Sequence, residues 1–498
     1  MLEVGGTTWQ IEPTIGSFGG WAAPLKADYR PLQPFMRPIT KGRLLRMLTP
    51  TEIDFLFLGY LHLHWPKRRP LMASITKGLI GAPPAATPPV GARLERYGVG
   101  RFLGNLWCLH VSKDTYNAGL LCIFASVRRR GLWLLLLVLA GVGFGVWFTQ
   151  REAPCLPSEG HPVRSWTVGT EGGHAPVIGI QPFMEPTDYA CEAAFEKKLQ
   201  LYLDSIRGYL RPGAIVIFPE YVGTWLILLQ EHPLSFRAST LEGALIWFVL
   251  RRPWMFWQYR KAARQAGWKD PDAAAAFHIK APEMAAAYHR TFARLAARYG
   301  ITIVAGSIVL PGAQIVGDSL VVSTEAAAPL ENVSVVYGPT GKPLGITRKV
   351  YPIATELDFT QPAPVESLRI YAVGDKRLAV LICADSWYPT TYKAIGEADI
   401  WAVPSYLMGD SCWGTPWRGY SGWASPEDVR DTLLSEGQAW QTYAMGGRLP
   451  HWQRGAIGLN VFLLGHFWNL GADGRAIAIR RDSLYEAPPY THIILVWP

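Results

Sequence analysis

The chain has 498 residues, of which 49% are hydrophobic and 17% charged, with 48 Lys+Arg against 39 Asp+Glu. That composition excludes a disordered polypeptide and supplies a sizeable core. The net charge of +9 is scattered, with short basic runs at Lys67–Arg69 and Arg128–Arg130 and no recognisable nucleic-acid module, so a DNA or RNA partner is not expected. Twenty-one Trp residues point to a membrane interface or to a site rich in apolar surface.

Residues 1–126 contain apolar stretches at Phe55–Tyr60 and Leu120–Ala125 and a Pro/Ala-rich piece at Ala82–Pro89. No sustained periodicity joins them into a domain. His62 and His64 alternate as in a strand but lack companions for a metal site. This region is an unassigned extension. A natural start at Val127 is the expectation, because a short basic stretch followed by an apolar span is how a signal-anchor begins.

Gly131–Phe148 runs eighteen residues without a charge, long enough to cross a bilayer as a helix. Arg128–Arg130 precede it and only Arg151 follows closely. The positive-inside bias therefore places the N-terminal side in the cytoplasm and the larger C-terminal part outside, periplasmic or extracellular. No small-x-small cleavage site follows, which favours an uncleaved single-pass anchor over 127–150, with 151–173 as a polar linker. The six cysteines are Cys108, Cys122, Cys155, Cys191, Cys383 and Cys412; none forms a CxxC pair, which argues against structural zinc. Cys155, Cys191 and Cys412 fall on the outer side, where one disulfide among them can form, its pairing open.

From residue 174 the chain changes character. Val177–Ile180 reads as a buried strand, Tyr189–Leu210 has helical spacing (Phe195, Leu199, Tyr202, Leu203, Ile206, Leu210), and Ala214–Phe218 reads as a second strand. Residues 221–283 look like an insertion, aromatic and basic. Trp247, Trp254 and Trp257 with Arg251, Arg252, Arg260 and Lys261 suit either lipid-headgroup contact or a lid packed on the domain. A helix is predicted over Met284–Tyr299, then strands at 301–304 and 307–310 around Gly306. Further strands are predicted at 333–337, 344–350, 378–383 and 400–404, with a turn at Pro339–Lys342. Alternating helices and buried strands argue an α/β layered fold. A Gly/Trp-rich loop, Gly409–Trp423, is expected to shape a substrate mouth.

Three residues of different chemistry share one kind of position. Glu220 closes AIVIFPE, Lys349 closes PLGITRK and Cys383 closes RLAVLIC, and strand ends are where side chains converge in layered α/β proteins. A thiol needs a base or a cation beside it to attack. A Glu can take its proton and pass it to a leaving amine. A Lys can stabilise the oxygen charge that develops at a carbonyl-derived centre. These types suit attack on an amide or nitrile carbon. GxSxG and HExxH are absent, and Gly338–Lys342 lacks the spacing of a phosphate loop.

The motifs resemble the nitrilase (carbon–nitrogen hydrolase) superfamily over roughly residues 175–498. The family's F-P-E segment is matched by Phe218-Pro219-Glu220. Its R-K-x-x-P-x-x-x-E is matched from Arg348-Lys349 through Pro352 to Glu356, and its C-x-[DE] with a following Pro by Cys383-Ala384-Asp385 and Pro389. Gln181, the GITIVAGSIVL stretch, the GPTGK turn, ADIWAVPS and the late GADGRAI are similar landmarks. The resemblance implies a four-layer α-β-β-α sandwich and a Cys383 acyl-thioester mechanism with Glu220 as acid–base and Lys349 at the oxyanion. No metal or cofactor is implied. It also implies that Glu356 orients Lys349 or the attacking water, with a plain salt bridge as the other reading, and that the Ala384 N–H joins the oxyanion site. Family members commonly dimerise, so a homodimer is implied, although the sequence names no interface. The implied substrate is a small amide or nitrile, and a linear amide with an apolar part fits the aromatic content. Two alternatives stand beside hydrolysis: N-acyl transfer, as in apolipoprotein N-acyltransferase, and an inactive nitrilase-like binding domain.

Overall fold

The computed structural model describes residues 2–4, 7–9, 115–156, 162–422, 425–430 and 433–498. His62, His64, the Phe55–Tyr60 and Ala82–Pro89 stretches, Lys67–Arg69 and Cys108 lie outside them. Leu2–Val4 and Thr7–Trp9 pair as an antiparallel hairpin.

Helix α1 spans Thr115–Thr149, and its window Leu132–Thr149 is apolar enough to cross a membrane, with none of it buried. The helix begins sixteen residues before the apolar run expected from the sequence. Leu, Ala and Arg between 120 and 130 are good helix formers, and no Pro interrupts 115–149, so the basic stretch is carried on the same helix.

The remaining elements of the layered domain are, in chain order, β1 (Ser165–Val168), β2 (Val177–Ile180), α2 (Glu192–Ser205), β3 (Ile215–Ile217), α3 (Leu241–Arg251), α4 (Pro253–Gln265), α5 (Pro271–Tyr299), β4 (Thr302–Val304), β5 (Ile308–Pro311), β6 (Leu330–Tyr337) and β7 (Pro343–Arg348). They continue as β8 (Ile370–Val373), β9 (Lys376–Val380), α6 (Pro389–Ile395), β10 (Ile400–Ser405), α7 (Met445–Trp452), β11 (Ile457–Phe462), β12 (Ile477–Arg480), β13 (Ser483–Glu486) and β14 (Ile493–Val496). One sheet runs β7-β6-β4-β3-β2-β14-β1 with β5 paired to β6; the second runs β8-β9-β10-β11-β12-β13. The centre of each is parallel: β2, β3 and β4 in the first, β9, β10 and β11 in the second.

Period-two alternation along these strands sorts their side chains into three cores. Val177, Ile215, Val304, Val336 and Ile494 of the first sheet meet Leu378, Val380, Ile400, Leu459 and Ala478 of the second. Their neighbours Ile178, Val216, Ile303, Val335 and Leu495 turn outward onto Phe195, Leu199, Tyr288 and Phe292 of α2 and α5. On the far side Ala379, Leu381, Trp401, Val403 and Ile477 pack on Tyr392 of α6 and Met445 and Leu449 of α7. Three cores between four layers make the α-β-β-α sandwich that the sequence implied.

Three boundaries differ from expectation. The 151–173 segment contains β1, which pairs in parallel with β14 across more than 300 residues. Helix α5 starts at Pro271 and runs through Pro282. Asp270 caps it by accepting from Asp272 and Ala273 N–H at 3.1 and 3.0 Å, and burial of Phe277, Met284, Tyr288 and Phe292 outweighs one lost backbone bond. Helix α2 is shorter than predicted, with Cys191 as its N-cap.

Cys191 also forms the disulfide, with Cys155, across a sequence separation of 36 residues and at a Cα–Cα distance of 5.4 Å. Ala153 N–H donates to Glu231 O at 2.9 Å, so the exit of α1 is tied twice to the layered domain. Closing a loop of that size stabilises the fold by roughly 4 kcal/mol through the unfolded chain. We expect Cys155→Ser, or reductant on the wild type, to lower the thermal midpoint by several degrees in a circular-dichroism melt. Equal midpoints would show that the bond carries no stability.

Candidate active site

Glu220 lies three residues beyond β3, Lys349 directly after β7 and Cys383 three residues beyond β9, so two sheets deliver them to one place. The approach of Glu220 depends on Gly306. This glycine has φ +65°, and a Cβ there would stand 2.1 Å from the Pro219 carbonyl oxygen. Ser307 Oγ then accepts the Tyr221 N–H at 3.0 Å, holding the turn after Glu220. Tyr221 itself has φ +62° and Cys383 φ +52°. Non-glycine residues in the left-handed region cost about 1–3 kcal/mol each and persist only where the surroundings dictate them.

Lys349 Nζ donates to Glu220 Oε1 at 2.8 Å and to Glu356 Oε2 at 2.7 Å, with all three side chains buried. Asn332 Nδ2 bridges the same carboxylates, at 2.9 Å from Glu220 Oε1 and 3.3 Å from Glu356 Oε1. The Tyr221 hydroxyl donates to Glu356 Oε1, and Ile353 N–H to Glu356 Oε2 at 2.7 Å. The Cys383 thiol donates to Tyr406 O, its sulfur 3.9 Å from that oxygen, and it feels the charge of the Glu220 carboxylate. Glu220, Lys349, Glu356 and Cys383, singled out from sequence, are therefore brought together.

Electrostatics follow from one cation among two carboxylates. Burial raises the Glu220 carboxyl above its ordinary range; Lys349 opposes that and the charge of Glu356 adds to it. Burial works against the Lys349 ammonium, but Glu220 and Glu356 raise it well above the usual lysine value and keep it charged. Burial, then the charge of Glu220, pushes the Cys383 thiol well up, with Lys349 opposing. The thiol is thus held neutral beside the Glu220 carboxylate.

Asp385 links the cysteine turn to the lysine loop. Its carboxylate accepts Val350 and Tyr351 N–H at 3.0 and 2.7 Å and Ile382 N–H at 3.2 Å, while burial pushes its carboxyl up to about 7. Cys383, Ala384 and Asp385 form the first turn of a short 3-10 helix. Ala384 N–H stands among the leading donors that lack an intrahelical acceptor, beside the sulfur. An aromatic wall surrounds this turn. Tyr351 stacks on Tyr388 at 3.6 Å, the Tyr420 hydroxyl donates to Tyr388 at 3.0 Å, and Trp387 packs on Tyr420 at 5.1 Å. Tyr420 belongs to the Gly/Trp-rich loop, whose last residue, Trp423, lies outside the described residues.

Sequence reading missed Tyr221, Asn332 and Tyr406 as members of the site. Asn332 carried little signal, since Glu331 and Ser334 are polar in the same strand. Tyr221 and Tyr406 carried none beyond following Glu220 and the β10 strand. The cavity beneath α3, about 50 Å³ and lined by Trp225, Leu228, Leu245, Phe248 and Phe277, includes none of the residues around Cys383. Among the described residues no group of three or more His, Cys, Asp or Glu is placed to hold a metal.

Residues 184–418, which contain Glu220, Lys349, Glu356 and Cys383, match the family model described as Carbon-nitrogen hydrolase. That stretch is similar to the carbon–nitrogen hydrolase (nitrilase) superfamily. A search of curated proteins gave no match. Among solved structures, the chain is similar to a carbon-nitrogen hydrolase from Helicobacter pylori G27, at 13% identity, TM-score 0.39, over 64% of this chain and 89% of that one. It is also similar to a nitrilase-superfamily amidase from Nesterenkonia AN1, at 15% identity, TM-score 0.38, over 66% of this chain and 90% of that one.

Removing the cation would leave two buried carboxylates facing each other. We expect Lys349→Met to destabilise the fold by about 3–5 kcal/mol near pH 8. Without Lys349 the Glu220 carboxyl, already raised by burial, binds a proton more readily folded than unfolded, so the loss shrinks as pH falls through its raised value. Denaturant unfolding at pH 8 and pH 5.5 measures this, and a loss that grows on acidification would contradict it.

Proposed function

We propose that the chain hydrolyses a non-peptide amide bond, nitriles being the related substrate, through an acyl-thioester on Cys383, with Glu220 and Lys349 completing the catalytic set. The observation that carries this reading is the buried arrangement of an ammonium held by two carboxylates, Glu220 and Glu356, with the Cys383 thiol under the charge of Glu220 and Lys349. Glu220 takes the Sγ proton as sulfur bonds to the substrate carbonyl carbon. The carbonyl π-electrons pass to oxygen, where Lys349 and the Ala384 N–H meet the charge. As the carbonyl re-forms, the C–N bond breaks and Glu220 protonates the leaving amine. Water then loses a proton to Glu220 and attacks the thioester. Collapse releases the carboxylic acid and returns the proton to sulfur. Glu356 keeps Lys349 charged and aimed.

The reading extends to location. The Leu132–Thr149 window supports a single-pass anchor, and the Cys155–Cys191 disulfide supports a domain in an oxidising compartment, in accord with Arg128–Arg130 on the cytoplasmic side. A second reading, N-acyl transfer to an amine instead of water, draws on the same thioester and is favoured by the docking of α1 against the domain, where Phe148 lies 6.0 Å from Trp247.

Intact-mass spectrometry of the full chain, solubilised and mixed with simple amides, nitriles and fatty-acyl amides, tests the proposal. We expect an acyl mass increment on the wild type and none on Cys383→Ala, with turnover reduced by about 10⁴-fold or more. Unchanged turnover in Cys383→Ala would overturn it. Adding a primary amine as acceptor separates the two readings by product.

A further inference from the structure

The 221–283 insertion turns one face inward and leaves the other uncovered. Leu241, Ala244 and Phe248 of α3 and Phe256 and Ala263 of α4 are buried in the core against the first sheet's helices. On the outer side Ile246 and Leu250 of α3 and Trp254, Met255 and Trp257 of α4 are exposed, Trp254 by 68%. Ile246 and Leu250 are four apart, and Trp254, Trp257 and Lys261 recur at helical spacing, so each set shares a face. Trp254 stacks on Trp257 at 5.3 Å, and Lys261 Nζ lies 5.6 Å from the Trp257 ring centre.

The position of this hairpin is fixed by the end of the apolar span. Phe148 lies 5.0 Å from the His232 ring and 6.0 Å from Trp247, and Gln150 Nε2 donates to Arg251 O at 3.4 Å. A buried ion cluster holds the hairpin there. Glu231 accepts Arg252 through both oxygens at 3.0 and 2.7 Å, with Lys280 Nζ of α5 at 3.5 Å. At the exit of α1, Arg151 lies 5.5 Å from the Trp147 ring, the same pairing of cation and indole as on α4.

We propose that the α3–α4 hairpin is a second membrane contact, seated in the phospholipid headgroup and upper acyl region beside the span. The proposal rests on α1 crossing the bilayer. If it does, its apolar run ends at the level of Trp247 and Arg251, and the exposed Trp254–Trp257 pair continues that level sideways. Indole rings favour this region, where an apolar body and a polar N–H are both satisfied, and a neighbouring lysine meets lipid phosphate. Two attachments, one spanning and one lying flat, would hold the layered domain in a fixed pose on the membrane.

The test uses the full chain in vesicles of phosphatidylcholine and phosphatidylglycerol containing a phosphatidylcholine with a diazirine near the carbonyl end of its acyl chain. After illumination, lipid adducts are mapped by peptide mass spectrometry. We expect adducts on the peptide carrying Trp254 and Trp257 as well as on 132–149, and loss of the former alone in the Trp254→Ser, Trp257→Ser double variant. Adducts on 132–149 without any on α4 in the wild type would overturn the hairpin contact. Absence from both would overturn the span reading and the hairpin contact together. Adducts on α4 that persist in the double variant would refute the role given to the two indoles.

Discussion

A lysine ammonium sealed between two carboxylates sets the terms for everything around it. Each of these ions costs several kcal/mol to take out of water, and their attraction offsets that only where every remaining lone pair is met. Here the filling is done by Asn332, by the Tyr221 hydroxyl and by Ile353 N–H, around Lys349 contacts of 2.8 and 2.7 Å. The cluster has one positive and two negative members. Such a set readily accepts a further proton, and the member whose carboxyl is raised is Glu220, the one that faces the thiol. A carboxyl tuned upward in this way can both accept a proton from sulfur and return it to nitrogen near neutral pH.

The architecture exists to bring those charges together from distant parts of the chain. Glu220 leaves the first sheet at the end of a central parallel strand, and Cys383 leaves the second sheet in the same manner, on the other side of a shared apolar core. The backbone is strained at both places, since Tyr221, the residue after Glu220, and Cys383 itself adopt left-handed φ. Asp385 then fastens the cysteine turn to the lysine loop through three backbone N–H groups. The aromatic wall of Tyr351, Tyr388, Trp387 and Tyr420 closes over this set and lowers its exposure to water, which strengthens each charge–charge contact inside.

Much of this was legible in sequence because strand-end chemistry is local. Short apolar runs announce buried parallel strands, and a Glu, Lys or Cys that terminates such a run is visible without knowing the fold. What is not local was missed. β1 is four residues with mostly exposed side chains, and it becomes a strand only because β14 lies beside it. Asn332, Tyr221 and Tyr406 join the site through packing across sheets, which no spacing along the chain encodes. The aromatic and basic content of 221–283 is visible in sequence, but the division of its residues into a buried and an exposed face depends on the core beneath it. Helix α5 starts at Pro271 rather than at the expected Met284, because the Asp270 cap and the buried Ala274–Phe277 stretch carry it through Pro282.

The central claim is that Cys383 rests as a thiol under the charge of Glu220, rather than as a thiolate paired with Lys349. Titration of the Cys383 thiol by its 240-nm thiolate absorbance, taken as the difference from Cys383→Ser, measures this in the wild type and in Glu220→Gln. The account predicts a wild-type thiol that ionises above the ordinary cysteine range, and a downward shift in Glu220→Gln, because the neighbouring negative charge is removed while Lys349 remains. A wild-type thiol already ionised at neutral pH, or one whose ionisation rises in Glu220→Gln, would contradict it.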